Sequence, residues 1–413
     1  MTWPGLSAGV AFVGKALHDG GAMREPPFRT TSNSPLPRRP RLRSGLTLAE
    51  RDGETLVFSA RPDSFETIDD PDGTWAALLR ACDGAVELPG VHARLAEQGV
   101  ELTPEALAEG VESLTFHGLL VDASGDVPDE WSSQRAYLEQ LAGRELDVAG
   151  MQERVRRTRV LVLGAGGIGA WLAHSLAMMG VAELIVVDPD LVEERNRTRQ
   201  PYPAESVGRR KVEVLGELVT GLRPGLRYAG VDLRVESPGD LSSLIEHVDV
   251  VASCADEPSL EAVATLVAGV CVPARVPHLI AAYNGPVGRV GPFWHPRRRP
   301  LACYGCLSLV RDTTDRAYGL TSAELRRVAP GGRRAAVSAA QSQLVAALVA
   351  GEILHLRAGV PPATAGRVFT LDLPTLRSYR SRVTVREDCT ICSGGRRPRV
   401  AALPGALSSA GRG

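Results

Sequence analysis

The stretch Arg159-Val-Leu-Val-Leu-Gly-Ala-Gly-Gly-Ile-Gly-Ala170 decides the fold. Val160 to Leu163 is a short apolar run that reads as a buried parallel strand. Gly164, Gly166 and Gly169 follow as G-x-G-x-x-G, with Gly167 inside the motif. Ala170 to Met179 predicts a helix, closed by Gly180. A second apolar run, Leu184 to Val187, ends in Asp188. Strand, glycine turn, helix, strand and acid make a nucleotide-binding βαβ unit. The glycines let the backbone approach phosphates, the helix amino end offers free N–H groups, and Asp188 can hold ribose hydroxyls. Several nucleotides fit that pattern, NAD most often, so the residues after Asp188 must discriminate among them.

Asp188-Pro-Asp190 leads to Asn196, Arg199 and Gln200, then to Gly208-Arg-Arg-Lys211. Two fixed cations beside a phosphate-cradling turn suit ATP better than NAD, because a triphosphate carries more charge to neutralise. Val248 to Ser253 reads as another buried strand, and Asp256 just beyond it is placed to hold Mg²⁺.

The spacing D-x-D-x5-N-x2-R-Q followed by G-x-x-K resembles the ThiF/MoeB/HesA family, related to ubiquitin-activating enzymes, from about Arg135 to Cys392. The resemblance implies ATP-dependent adenylation of a carboxylate, with pyrophosphate released. It implies that Asp188 holds the ribose, that Asn196, Arg199 and Lys211 hold the phosphates, that Gln200 supports the site and that Asp256 binds Mg²⁺. It also implies a homodimer in which an arginine ahead of the glycine loop reaches the partner's ATP. Arg135 is the candidate for that arginine, and Arg144 the second. Leu307 to Ala336 contains no cysteine, so adenylation without a covalent thioester step is expected. Glu257-Pro258 departs from the polar residue usual in the family after the aspartate.

Cys303-Tyr-Gly-Cys306 and Cys389-Thr-Ile-Cys392 are two C-x-x-C pairs. Four thiolates in close pairs match a closed tetrahedral Zn²⁺ site, structural because no open position is indicated. Cys82, Cys254 and Cys271 read as small buried hydrophobes rather than nucleophiles. His278 and His295 read as structural histidines.

Residues 46–124 have a different character. Leu46 to Glu50 and Thr55 to Ser59 predict a hairpin around Asp52-Gly53. Thr74 to Cys82, Leu88 to Gln98 and a segment capped by Thr103-Pro104 predict three helices. Leu119 to Val121 predicts a returning wing strand. The result is a winged-helix-like α+β module. Its sixteen Asp/Glu against four Lys/Arg exclude a phosphate backbone as partner. The order of elements, with Leu78, Cys82-Asp83-Gly84 and the closing Leu114 and Gly118-Leu119-Leu120, resembles PqqD-like modules. That resemblance implies capture of a precursor peptide as an added strand.

The whole is therefore expected to be a Rossmann-like, mainly parallel α/β domain with a zinc-bound C-terminal part, at residues 159–392, plus the small module at 46–124. Residues 125–158 are expected as a linker and amphipathic helix carrying Trp131, Tyr137, Leu138 and Leu141 on one face. Residues 1–45 and 393–413 are expected as disordered tails, and Met23 is a possible true start. Net charge is −1, which gives no general case for nucleic acid or membrane. No run of about 18 apolar residues suggests a transmembrane helix, and the cysteine usage suggests a reducing cytoplasm. The function expected is adenylation of a peptide carboxylate. The alternatives are a non-adenylating, peptide-presenting partner of a YcaO cyclodehydratase, or an activator of a small sulfur-carrier protein.

Overall fold

The computed structural model describes residues 36–59, 65–125, 130–142, 148–296, 300–314 and 337–393, with only the backbone of 65 and of 311–314. The expected tails before residue 36 and after 393, Arg144 and the crossover at 315–336 lie outside the described residues. The chain divides into two compact units, Met1–Gln152 and Glu153–Gly413.

The first unit contains β1 (Pro40–Leu42), β2 (Thr47–Arg51), β3 (Glu54–Phe58), β4 (Phe65–Asp69), α1 (Thr74–Ala81), α2 (Leu88–Glu97), α3 (Pro104–Phe116), β5 (Leu120–Asp122) and α4 (Ser132–Leu141). β2, β3 and β4 form an antiparallel meander. The β2–β3 turn is tight because Asp52 and Gly53 both take positive φ, 43° and 82°. Val57 and Ile68 join Leu78, Leu79, Val91, Leu95, Leu107, Val111 and Leu114 in one core. Asp70 ties sheet to helix: its carboxylate accepts from Thr55 Oγ1 at 2.7 Å and from the amides of Trp75 and Ala76 at 2.9 Å each. Thr103 caps α3, its Oγ1 accepting from the Ala106 amide at 3.2 Å.

Five expectations for this region change. Pro40–Leu42, assigned to a disordered tail, is a strand, because β5 needs an antiparallel partner and pairs Arg41 with Val121. The returning strand therefore does not join the predicted hairpin as a wing. The hairpin gains β4 as a third strand instead. Residues 125–158 hold two helices, α4 and α5 (Val148–Arg156). On α4 Leu138 is buried but Tyr137 is exposed, and the buried polar residue Glu139 replaces Tyr137 on the inward face. The Glu139 carboxylate accepts from the Ser44 amide at 2.8 Å and from Arg41 Nη2 at 3.1 Å.

The second unit contains β6 (Arg159–Leu163), α6 (Gly167–Met179), β7 (Glu183–Val187), α7 (Lys211–Leu222), β8 (Arg227–Val231), α8 (Pro238–Ile245), β9 (Val250–Ser253), α9 (Leu260–Cys271), β10 (His278–Asn284), β11 (Val287–Val290), α10 (Tyr304–Thr314), α11 (Ala339–Ala358), β12 (Arg367–Asp372) and β13 (Arg377–Arg382). One eight-stranded sheet runs β13-β12-β11-β10-β9-β6-β7-β8. The five strands β10, β9, β6, β7 and β8 are parallel, and β11, β12 and β13 extend the sheet antiparallel. Because side chains alternate across a strand, β6 feeds two cores. Val160 and Val162 pack with α6, α7 and α11, while Leu161 and Leu163 pack with α8 and α9.

α11 is long and apolar enough to cross a membrane by length and composition, but half of its apolar window is buried in the protein. Val345, Ala346, Val349 and Ile353 lie in the core it shares with α6. α6 begins at Gly167 rather than Ala170, so the last motif glycines form its first turn.

Candidate nucleotide and metal sites

β6 lies between β7 and β9, and the chain leaves it toward one side and later returns on the other. Ligands of open α/β sheets bind at such a reversal, beyond the carboxyl ends of the strands. The glycine turn occupies that place, and its glycines serve different ends. Gly164 has φ +94°, and a Cβ there would come within 3.0 Å of the Ala255 nitrogen at the end of β9. A Cβ on Gly169 would lie 1.8 Å from Gly164 O, so helix and strand pack closer than alanine permits. Nothing lies within 4 Å of a Cβ on Gly166, which leaves its face open.

Asp188 follows β7 and is 6% exposed. Its Oδ2 accepts from the Ala165 amide at 2.6 Å and its Oδ1 from the Asp190 amide at 2.9 Å. Each oxygen keeps a further acceptor position. Burial raises its carboxyl above the ordinary range, with Lys211 the principal opposing influence. Lys211, the first residue of α7 and likewise buried, donates from Nζ to Asp190 Oδ2 at 2.7 Å and stands 3.8 Å from Asp188 Oδ1. Asn196 caps its own short turn, its Oδ1 accepting from the Glu193 amide at 2.9 Å.

The segment carrying Arg199 and Gln200 is held against the glycine turn by two aromatic residues. Trp171 Nε1 donates to Arg199 O at 3.1 Å, and Tyr202 Oη donates to Ala165 O at 2.8 Å. Arg199 Nε and Gln200 Oε1 are buried without a protein partner. Such orphans are rare, and the cationic donor of Arg199 fits a polyanionic nucleotide. Asp256 sits past β9, where solvent reaches it. The surrounding protein desolvates its carboxyl and raises it, Glu257 adds to the rise, and Arg199 and Lys211 act against it.

The fold thus gathers Gly164, Gly166, Gly167, Gly169, Asp188, Arg199, Lys211 and Asp256 around one sheet end, with Asn196 and Gln200 in the connecting segment. Arg135 lies on α4 of the other unit. Sequence reasoning missed Trp171 and Tyr202. The aromatic residues carry no pattern that separates them from core.

The four paired cysteines converge as well. Their Sγ atoms all lie within 4.8 Å of one another, with Cys303–Cys389 at 3.6 Å and Cys306–Cys392 at 3.3 Å. Four sulfurs around one Zn²⁺ would stand about 3.8 Å apart, so the set fits a tetrahedral ion. Gly305 belongs to this packing, since a Cβ there would come within 3.1 Å of Cys389 Sγ. The other thiols, Cys82, Cys254 and Cys271, are each pushed up to about 12 by burial, which disfavours the thiolate a nucleophile needs. His278 is buried, stacked on Trp294 and lowered to about 4 by desolvation, so it is a neutral core residue.

The fold and this constellation define an α/β protein of the nucleotide-binding type, with a cluster of four cysteines whose spacing suits a metal ion. The chain belongs to the ThiF family, whose model matches residues 137–393. The molybdopterin-synthase adenylyltransferase of Escherichia coli (strain K12) is 28% identical over 260 residues, 62% of this chain and 95% of that protein. The adenylyltransferase and sulfurtransferase MOCS3 of Bos taurus is 33% identical over 275 residues, 65% of this chain and 55% of that one. Among solved structures, E. coli MccB with ATP aligns at TM-score 0.69 and 17% identity over 86% of this chain and 99% of that one. The microcin C7 biosynthetic enzyme MccB in complex with N-formylated MccA aligns at TM-score 0.68 with the same identity and coverage. The present chain is accordingly an ATP-dependent adenylyltransferase of the ThiF/MoeB type.

Proposed function

We propose that this enzyme activates a carboxylate of a ribosomally made precursor peptide as an acyl-adenylate and that its N-terminal unit grips the peptide. The observation that carries the adenylation step is the convergence of Arg199, Lys211, Asp188 and Asp256 on the open glycine turn. Asp188 would hold the ribose, and Asn196, Arg199 and Lys211 the phosphates, with Gln200 in support. Asp256 would hold Mg²⁺, which neutralises phosphate charge when bound. A carboxylate oxygen attacks the α-phosphorus, the bond to the bridging oxygen breaks and pyrophosphate leaves. No general base is needed, since the carboxylate is already ionised near neutral pH. Alignment and charge neutralisation do the rest. These retained groups favour an enzyme over a non-adenylating partner of a YcaO cyclodehydratase.

The peptide reading is supported by the N-terminal unit itself. We read its meander and three helices as a peptide-gripping module on the resemblance to PqqD-like modules, and MccB, of similar fold, has been solved with MccA. Arg135, with Arg144 second, would act across a homodimer. The zinc would be structural, and the free thiols fit a reducing cytoplasm. A second reading, activation of a small sulfur-carrier protein, is favoured by the names of the sequence relatives. Deleting residues 1–124 separates the two, since only the peptide reading predicts loss of substrate recognition.

The test of adenylation is ATP binding and ATP–pyrophosphate exchange with candidate peptides. Lys211→Ala should lower exchange by about a hundredfold or more, as removal of a charge-stabilising donor does. Wild-type protein that neither binds ATP nor exchanges pyrophosphate would sink the proposal.

A further inference from the structure

Asp188 and Asp256 have places in the assignments above, but their close neighbours Asp190 and Glu257 have none. Both of these unassigned acids approach one exposed arginine. Arg234, just past β8, donates from Nη1 to Glu257 Oε2 at 3.0 Å, and its Nη2 stands 3.8 Å from Asp190 Oδ1. Asp190 follows β7 and Glu257 follows β9. Strand β6, which leads into the glycine turn, lies between those two strands. Two strand spacings amount to about 9.5 Å. One guanidinium therefore joins loops that come from opposite sides of the turn.

Charge balance gives this link its purpose. A triphosphate is a polyanion, and the basic side chains assigned to it are Arg199 and Lys211. Lys211 Nζ is already held by Asp190 Oδ2 at 2.7 Å, so Asp190 competes with phosphate for that cation. Glu257 adds a negative charge beside Asp256 and helps to raise the Asp256 carboxyl. Arg234 is the cation that pairs with both acids. Glu236 is a further carboxylate near it, and Arg195 a further cation near Asp190 and Glu257. The hydrogen bond of Arg195, however, goes to Glu193. Side chains of Arg234 and Glu257 are 49% and 68% exposed, and an ion pair so exposed adds little to stability. Its effect falls instead on the charge that an arriving polyanion meets.

We infer that Arg234 is a positioning residue for ATP: it pairs with Asp190 and Glu257, so that neither charge is set against the triphosphate and Lys211 is left to the phosphates. The inference rests on the adenylation reading above. Arg234 itself touches no reacting atom and moves no proton. Because it acts by charge, a lysine in its place keeps most of the effect. Removal of the Glu257 charge makes much of the effect unnecessary. The acid that follows Asp256 and the arginine that follows β8 are thus a matched pair.

Calorimetric titration of the full chain with Mg·ATP tests this. Arg234→Gln should weaken binding roughly fivefold, the upper scale for an exposed charge pair. The deficit relative to wild type should shrink in about 1 M salt, where the screening length falls to about 3 Å. Arg234→Lys should stay within about twofold of wild type, and Glu257→Gln should bind at least as tightly as wild type. Combining Arg234→Gln with Glu257→Gln should regain most of the lost affinity. Undiminished binding in Arg234→Gln overturns the inference, as does a deficit that persists at high salt. A double variant as weak as Arg234→Gln alone also overturns it. So does an Arg234→Lys variant equally weak, since a planar contact with the base would then explain the loss. Wild-type protein that does not bind Mg·ATP overturns the adenylation reading, and this inference with it.

Discussion

His278 shows how a single buried group sets a pH dependence. Its imidazole is held near 4, because burial disfavours the charged form, while an unfolded histidine titrates near 6.5. Between these values the unfolded chain binds more protons than the native one, so stability falls as pH falls. We expect the second unit to lose about 2 kcal/mol between pH 7 and pH 5 from this residue. Urea midpoints at the two pH values, compared with His278→Phe, would measure it. An equally steep pH dependence in the variant would assign the loss elsewhere. Asp188 is poised in the opposite sense, its carboxyl raised by burial. The protein keeps that unfavourable burial at the place where Lys211 and two backbone amides compensate it.

At the scale of elements, two ties join segments that are distant in sequence. The four cysteines link the start of α10 to the chain beyond β13. The purified protein should contain about one Zn²⁺ per chain by atomic absorption. Chelation should lower the melting temperature of the second unit by about 10 °C or more, since metal binding is folding free energy. A metal-free preparation of undiminished stability would rule out a structural ion. The other tie is Glu139, buried on α4 and held by Arg41 and Ser44. Glu139→Ala removes the buried carboxylate that accepts from Arg41 and from the Ser44 amide and should cost about 2 kcal/mol. Faster amide hydrogen exchange in α4 and β1 would report it. Exchange confined to its wild-type rate would show that α4 is held by its apolar face alone.

For the whole molecule, two compact units of separate core predict two unfolding transitions in calorimetry. ATP at a hundred times its dissociation constant stabilises the unit that binds it by about 2.7 kcal/mol. Only the second transition should rise, by roughly 5–10 °C. A single transition shifted as a whole would mean that the units unfold as one.

The sequence by itself determined the βαβ unit, the acid after its second strand, the two cations downstream and both cysteine pairs. Each of these depends on local spacing: a glycine turn needs its glycines at fixed intervals, and a C-x-x-C pair sets its own reach. It also determined the three helices and the hairpin of the first unit, through caps and turn residues. Only the tertiary structure decided what depends on long-range partners. Pro40–Leu42 is a strand because β5, eighty residues away, lies beside it. Tyr283 and Ser342 come to Gly167 because β10 and α11 pack around the sheet end. Neither residue carries a local signal of that meeting, since convergence in space has no period along the chain.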